Sequence, residues 1–308
     1  MVGPKLQVLT VSTVVCIFAL ITLGGVVRLT NSGLGCPDWP LCHGQLFPPI
    51  EYHALIEYSH RTLAALVGVL VAAQAFIVWR WHRDRRWFLT FSLLGVVLVL
   101  VQGALGGVTV LTELPGGLVL AHLATAEALI ACMVLASALA LSTPRNAQHS
   151  DAGRAPLVGL RRITLLTTGM AYVLLITGSY VTVSGATASC GVSWPLCDGS
   201  FIPEGHHASV HMAHRLVTLV VSALVAVVLV RAWRQGRDWG HLRWTAIALA
   251  GLLVLQVGLG AAVVTGGFTA ELRATHLSLG TLMWVSLVIL AIMVVMGRPR
   301  ELKGNGHA

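Results

Sequence analysis

The sequence is poor in charge: Asp, Glu, Lys and Arg make up only 10% of its 308 residues, against 56% hydrophobic. That balance excludes an ordinary soluble domain, in which about 25% of residues are charged. Acids are scarcer than bases, 12 against 20, and the formal net charge is +8. The first apolar stretch lacks a small-residue cleavage site, is too long for a signal peptide and has a counterpart in the second half. It reads as a retained helix.

What is present is a set of eight apolar runs, each long enough to cross about 30 Å of hydrocarbon. They fall near 7–28, 57–79, 88–110, 117–142, 163–183, 208–230, 244–265 and 274–296. Each is dense in Leu, Val, Ala and Gly, as membrane helices are. Of the 20 basic residues, 16 collect on one side of the runs, which the positive-inside rule assigns to the cytoplasm together with both termini. The basic excess therefore reports topology, and nucleic acid is not an expected partner. The expected fold is all-α: an eight-span integral membrane protein of two parallel-repeated four-helix bundles. Residues 1–142 form the first bundle, 143–161 a cytoplasmic linker, and 162–308 the second bundle with a cytoplasmic tail.

The repeat is read from histidines. His60 and His214 are separated by the same interval as His122 and His276, 214−60 = 276−122 = 154. Neighbours repeat as well: Gln102-Gly103-Ala104-Leu105-Gly106 returns as Gln256-Val257-Gly258-Leu259-Gly260, and His60-Arg61 as His214-Arg215. Ionisable groups inside a membrane are expensive, so four of them at equal depth demand a purpose. A pair of imidazoles across a four-helix bundle suits haem iron. Zinc fits poorly, because two histidines are half of a tetrahedral set and no carboxylate or thiolate pair completes both copies. His60, His122, His214 and His276 are therefore expected as axial haem ligands.

Four basic residues stand on the outer side, against the charge rule: Arg28, Arg61, Arg215 and Arg273. Haem carries two propionates, and arginine matches carboxylate geometry, so these four are candidate propionate contacts. The plainer reading is that they snorkel to headgroups or pair with outer acids. Cys36 with Cys42, and Cys190 with Cys197, occupy equivalent outer loops and are expected as disulfides on an oxidising face. Trp39-Pro40-Leu41-Cys42 and its copy Trp194-Pro195-Leu196-Cys197 suit a rigid apolar lid. The copies differ at one place: Glu57 precedes His60 by three residues, where His211 precedes His214. Spacing of three puts Glu57 on the histidine's helical face, where a carboxyl group is poised for proton transfer or for stabilising positive charge. The alternative is a helix N-terminal acid favoured by the macrodipole. Glu127, deeper in the fourth run, is a second intramembrane acid and a candidate proton relay.

The run Gly24-Gly25-Val26-Val27-Arg28-Leu29-Thr30-Asn31-Ser32-Gly33-Leu34-Gly35-Cys36-Pro37-Asp38-Trp39-Pro40, with Glu57-x-x-His60-Arg61 and His122, His214 and His276, resembles the haem A synthase family. The resemblance covers nearly the whole chain, and the cysteine pair in each half is similar to the bacterial members. It implies oxidation of a methyl group of haem O to the formyl group of haem A by successive hydroxylations and loss of water. It further implies that His60 and His122 hold the substrate haem, that His214 and His276 hold a permanent haem b, and that Glu57 is the catalytic carboxyl group. Expected partners are membrane lipid, the haem O synthase as supplier, cytochrome oxidase assembly as acceptor, and an electron donor that the sequence does not identify. A bacterial inner-membrane location follows.

A di-haem b electron carrier linked to quinol would also use four histidines but has no need of Glu57 in one copy only. A thiol oxidoreductase would use the outer cysteines but not the histidines. A duplicated transporter fits least, since no run is broken at mid-membrane and the halves are parallel.

Overall fold

The computed structural model describes residues 2–142, 158–235 and 240–296. Among these residues it contains eight helices, all long and apolar enough to cross a membrane. They are α1 (Pro4–Leu29), α2 (Tyr52–Trp81), α3 (Arg86–Leu111), α4 (Gly116–Leu141), α5 (Val158–Val183), α6 (His206–Gln235), α7 (Gly240–Thr265) and α8 (Ala270–Met296). All eight begin before the apolar stretches of the sequence, and four, α1, α2, α3 and α6, also run past their far ends. Hydropathy marks only the part facing hydrocarbon, whereas the backbone ladder continues into the polar interface. One of these extensions, at α5, changes the expected division of the chain. It starts at Val158, inside the expected linker 143–161, because Arg161 and Arg162 are charged and so read as loop although they continue a helix. The remainder of that linker, 143–157, and the expected tail beyond 296 lie outside the described residues.

Duplication is visible in local structure. Helix α1 ends with Asn31 at φ 54°, and α5 ends with Gly185 at φ 76°. Asn and Gly are the residues that enter the left-handed region most readily. Each lets the next amide reach back: Ser32 N–H donates to Val27 C=O at 2.8 Å, and Ala186 N–H to Val181 C=O at 3.0 Å. This is the helix-ending arrangement of the Schellman type. The turns after α3 and α7 match similarly, with Leu114 N–H donating to Thr109 C=O and Phe268 N–H to Val263 C=O. The outer loops carry the bridges Cys36–Cys42 and Cys190–Cys197, with Cα separations of 4.6 and 4.8 Å.

Within the first half α1 packs on α2 and α4, and α3 on α2 and α4; α5 to α8 repeat this ring. The halves meet through α1 against α8, α4 against α5, and α4 against α8. One hydrophobic core runs through both, including Ile17, Ile130, Met133, Leu249, Leu287 and Leu290. Polar groups at the seam are paired across it. Tyr172 O–H donates to Ala124 C=O at 2.8 Å, and Trp284 Nε1–H to Glu127 C=O at 3.1 Å. The Glu127 carboxyl group is buried and accepts a hydrogen bond from Thr281 Oγ1 at 2.6 Å. Thr281 is the repeat mate of Glu127, 281−127 = 154, and a residue touching its own mate must lie beside the internal two-fold axis.

Thr281→Val strips that carboxyl group of its donor inside the seam. The expected loss is about 1–3 kcal/mol, the cost of an unsatisfied buried polar group, read as a lowered unfolding temperature in detergent.

Candidate functional site

The four repeat histidines enter their helices at matched depths. His60 and His214 each lie eight residues past the first residue of α2 and α6, 60−52 = 214−206 = 8; His122 and His276 lie six past the start of α4 and α8, 122−116 = 276−270 = 6. At about 1.5 Å per residue all four sit one to two turns below the disulfide-bearing end. Each is half-buried. His60 and His122 are close enough to interact electrostatically, and so are His214 and His276. The topology therefore brings together one imidazole pair in each half.

Every ring lies against a glycine of the preceding helix. A Cβ placed on Gly24 would stand 3.0 Å from Cε1 of His60, on Gly106 3.5 Å from that of His122, on Gly178 2.9 Å from that of His214, and on Gly260 3.1 Å from that of His276. These glycines obey the histidine interval, 178−24 = 260−106 = 154. An added methyl group would occupy the space where the rings rest. Gly178 belongs to none of the motifs noticed in the sequence; applying the repeat offset to glycines, as to histidines, would have found it.

The rings turn Nδ1 into protein. In His60, His122 and His276 this nitrogen is buried without a hydrogen-bond partner, and in His214 it meets Thr177 Oγ1 at 3.1 Å. Helix register around the α4 and α8 histidines is held from the neighbouring helix. Gln102 Nε2 donates to the His122 carbonyl at 2.8 Å, and Gln256 Nε2 to the His276 carbonyl at 3.0 Å.

The arginines divide. Arg61 is committed to protein: Nη1 donates to Asp38 C=O and Leu41 C=O, and Nη2 to Cys36 C=O and Glu57 Oε1. It clamps the disulfide loop, so both terminal nitrogens are engaged by groups other than a propionate. Arg215 clamps the second loop through Nη1, on the carbonyls of Ser193, Pro195 and Leu196. Its Nε and Nη2 are buried and unbonded. Arg28 and Arg273, on α1 and α8, face each other closely enough to repel, and among the described residues neither has an acidic partner. Two part-buried like charges side by side call for an anion.

Glu57 is 3% exposed. Its Oε2 accepts the Cys36 N–H at 2.8 Å and its Oε1 the Arg61 guanidinium at 2.6 Å. These two bonds make Glu57 a loop anchor as well as a neighbour of His60 in sequence. At the equivalent place His211 is buried with Nδ1 unbonded, which is why Arg215 lacks the acid that Arg61 has. In the loop itself Asp38 accepts from His43 N–H and Gly44 N–H at 2.6 and 2.7 Å; these bonds, Gly44 first, hold its carboxyl below the usual range. Trp39 covers α3 at Gly107, where a Cβ would stand 2.9 Å from its ring, beside the glycine that seats His122.

Among the described residues no cluster of three or more His, Cys, Asp or Glu could hold a bare metal ion. Paired imidazoles seated on glycine, with Nε2 free of protein partners and unpaired arginines toward the outer end, fit a planar metallo-cofactor that brings its own equatorial ligands and carboxylates. The fold and site thus define a duplicated eight-helix membrane protein with one histidine pair per bundle. The chain belongs to the cytochrome oxidase assembly protein family, whose sequence model matches residues 7–288. It is similar to the haem A synthase of Alkalihalophilus pseudofirmus, 28% identical over 264 residues that cover 84% of this chain and 87% of the relative. The haem A synthase of Symbiobacterium thermophilum is 31% identical over 284 residues, 88% and 90% of the two chains. That of Exiguobacterium sp. AT1b is 30% identical over 268 residues, 83% and 82%.

Arg61→Ala leaves the Glu57 carboxylate buried without its cation and frees three loop carbonyls. A loss of about 3–5 kcal/mol is expected for breaking such a pair, read as faster reduction of Cys36–Cys42 and a lower unfolding temperature. Arg61→Lys recovers only part, since a single ammonium cannot span the fork.

Proposed function

We propose that this chain is a haem A synthase that oxidises a methyl substituent of haem O to the formyl group of haem A. The observation that carries the reading is the set of four histidines, each seated on its own glycine and paired within its bundle. In this reading His60 and His122 hold the substrate haem O in residues 1–142. His214 and His276 hold a resident haem b in the second half, where it supplies electron transfer. The chemistry on the substrate is a four-electron oxidation of one carbon: two hydroxylations, each adding one oxygen atom from dioxygen or water with the electrons passing to that dioxygen or to an external acceptor, then loss of water from the geminal diol.

Chain residues set the conditions. Glu57, one helical turn before His60 on the same face, presents a carboxylate beside the substrate cage, suited to accept a proton or to oppose developing positive charge. Its bonds from Arg61 and Cys36 fix its position before substrate arrives. Arg28 and Arg273 face each other between the two halves and are the proposed propionate contacts, joined by the unbonded Nε and Nη2 of Arg215. Arg61 is withdrawn from that role in favour of the loop. The disulfide loops, with Trp39 over α3, close the outer mouth against water. Glu127 is assigned to the seam between the halves.

The positive-inside rule places both termini in the cytoplasm and the disulfide loops outside, in the cell membrane of a bacterium. Haem O reaches the site from the haem O synthase and haem A leaves toward cytochrome oxidase assembly, with reducing or oxidising equivalents exchanged with a donor outside this chain.

Glu57→Gln keeps an acceptor for the Cys36 amide and should retain haem while producing no formyl haem, checked by chromatography of extracted pigment. Normal haem A in that extract would remove Glu57 from the chemistry. His214→Ala should lose the low-spin haem b spectrum while the unfolding transition persists; an unchanged spectrum would count against the second-half cage. Native protein containing haem b alone in both halves would favour the di-haem electron carrier.

A further inference from the structure

The two halves hold their α2-type histidine differently. In the second half Thr177 sits between the ring of His214 and the α5 backbone. Its Oγ1 lies 2.9 Å from Leu174 C=O and 3.1 Å from His214 Nδ1. A carbonyl can only accept, so the hydroxyl proton goes to Leu174, and the hydroxyl oxygen accepts from His214 Nδ1–H. This chain fixes the tautomer: the proton is on Nδ1, and the lone pair is on Nε2. A ligating histidine held through its other nitrogen is the usual outer-shell arrangement at metal sites.

Subtracting the repeat interval gives the corresponding residues of the first half. Leu174 maps to Leu20, and Thr177 maps to Leu23 (177−154 = 23). The relay hydroxyl is missing. The ring of His60 leans toward the Leu20 carbonyl but its buried Nδ1 completes no hydrogen bond. The glycine seat at Gly24 or Gly178, the following arginine on loop carbonyls and the helix position are matched; the residue one turn before the ring is not, Glu57 against His211. On the side of the ring that faces the preceding helix, one side-chain difference separates an imidazole bonded to a hydroxyl from one whose Nδ1 has no hydrogen-bond partner.

We infer that Thr177 is a positioning residue that locks His214 in place, and that Leu23 at its counterpart leaves His60 the imidazole able to withdraw. The inference rests on the proposed haem-ligand reading and deepens it. Two imidazoles on one iron leave no open position, so a half that processes its haem needs a ligand that can yield. A half that only transfers electrons gains from a locked ligand on α6; its partner His276, whose Nδ1 is also unbonded, is held through Gln256 on its carbonyl.

Carbon monoxide is the probe, since it reports an open position on reduced haem without any turnover. In native protein, purified with its haem and reduced, the haem b held by His214 should be low-spin and inert to carbon monoxide. Thr177→Val, which keeps the side-chain volume, should weaken haem b retention by about 10–100-fold and admit carbon monoxide. Thr177→Ser should restore native behaviour. Leu23→Thr should slow carbon monoxide binding to the first-half haem by about tenfold. Haem b that stays equally retained and inert in Thr177→Val overturns the inference while leaving the ligand reading intact. Unchanged first-half binding in Leu23→Thr overturns its His60 part. Native protein without haem b overturns both.

Discussion

An imidazole inside an apolar bundle must rest on something, and here each of the four rests on backbone. Without Gly24, Gly178 and Gly260 a side chain would crowd the notch where the ring lies, whereas a Cβ at Gly106 would make ordinary contact with His122. A close approach of this kind needs a residue without Cβ. Once the ring is seated, its helix is held by a second device. On α4 and α8 a glutamine from the adjacent helix grips the histidine's own carbonyl. On α2 and α6 the arginine after the histidine reaches up to the loop carbonyls. Ring, helix and loop are thus fixed in sequence, and the outer disulfides close the loop that the arginine grips.

That order explains what was legible in the sequence. Eight apolar runs follow from composition and the paired histidines from one repeat interval, while the cysteine pairs follow it to within one residue (190−36 = 154, 197−42 = 155), and the structure contains eight spanning helices and both disulfides. Linear signals failed at helix ends, where charge and helicity part company: Arg161 and Arg162 looked like linker and lie in α5. They failed again where meaning depends on which way a side chain turns. Arg61 reads as free for an anion because it is outer and basic, yet its terminal nitrogens are occupied by Asp38, Leu41, Cys36 and Glu57. Arg28 and Arg273 gave no sequence hint of each other, being on the first and last helices. Only the packing of α1 against α8 brings them near enough to interact.

The seam between halves shows the same economy of means. Glu127 and Thr281 occupy one position of the repeat, and divergence there has made a donor and an acceptor that meet beside the axis. Identical residues could not do this as well: two glutamates would repel or share a proton, and two threonines would leave less to bind. Nearby, Gly25 lets α8 come close, since a Cβ there would stand 2.6 Å from Leu277 Cδ2. The pairing Tyr172 to Ala124 and Trp284 to Glu127 adds directed contacts to a core that is otherwise shapeless aliphatic packing. In a bilayer, where lipid tails offer apolar side chains as good an environment as protein does, such close approaches and hydrogen bonds are what hold helices together.

Duplication gave this chain two similar frames, and around the paired rings the proposed specialisation lies in residues that hold the histidines rather than in the histidines themselves. The ring, its glycine and the following arginine are common to both halves. The differences are Leu23 against Thr177, on the helix before the ring, and Glu57 against His211, three residues before it on its own helix. Exchanging His211 for Glu57 neutralises the loop arginine and places an acceptor beside the first cage; exchanging Thr177 for Leu23 removes the tether from the ring in that cage. Both changes act in the same half and in the same sense, toward a site with a charged group at hand and a ligand less firmly fixed. The second half keeps the opposite choice in both places. A frame copied once and altered at two supporting positions can divide a reactive site from a static one without moving any helix.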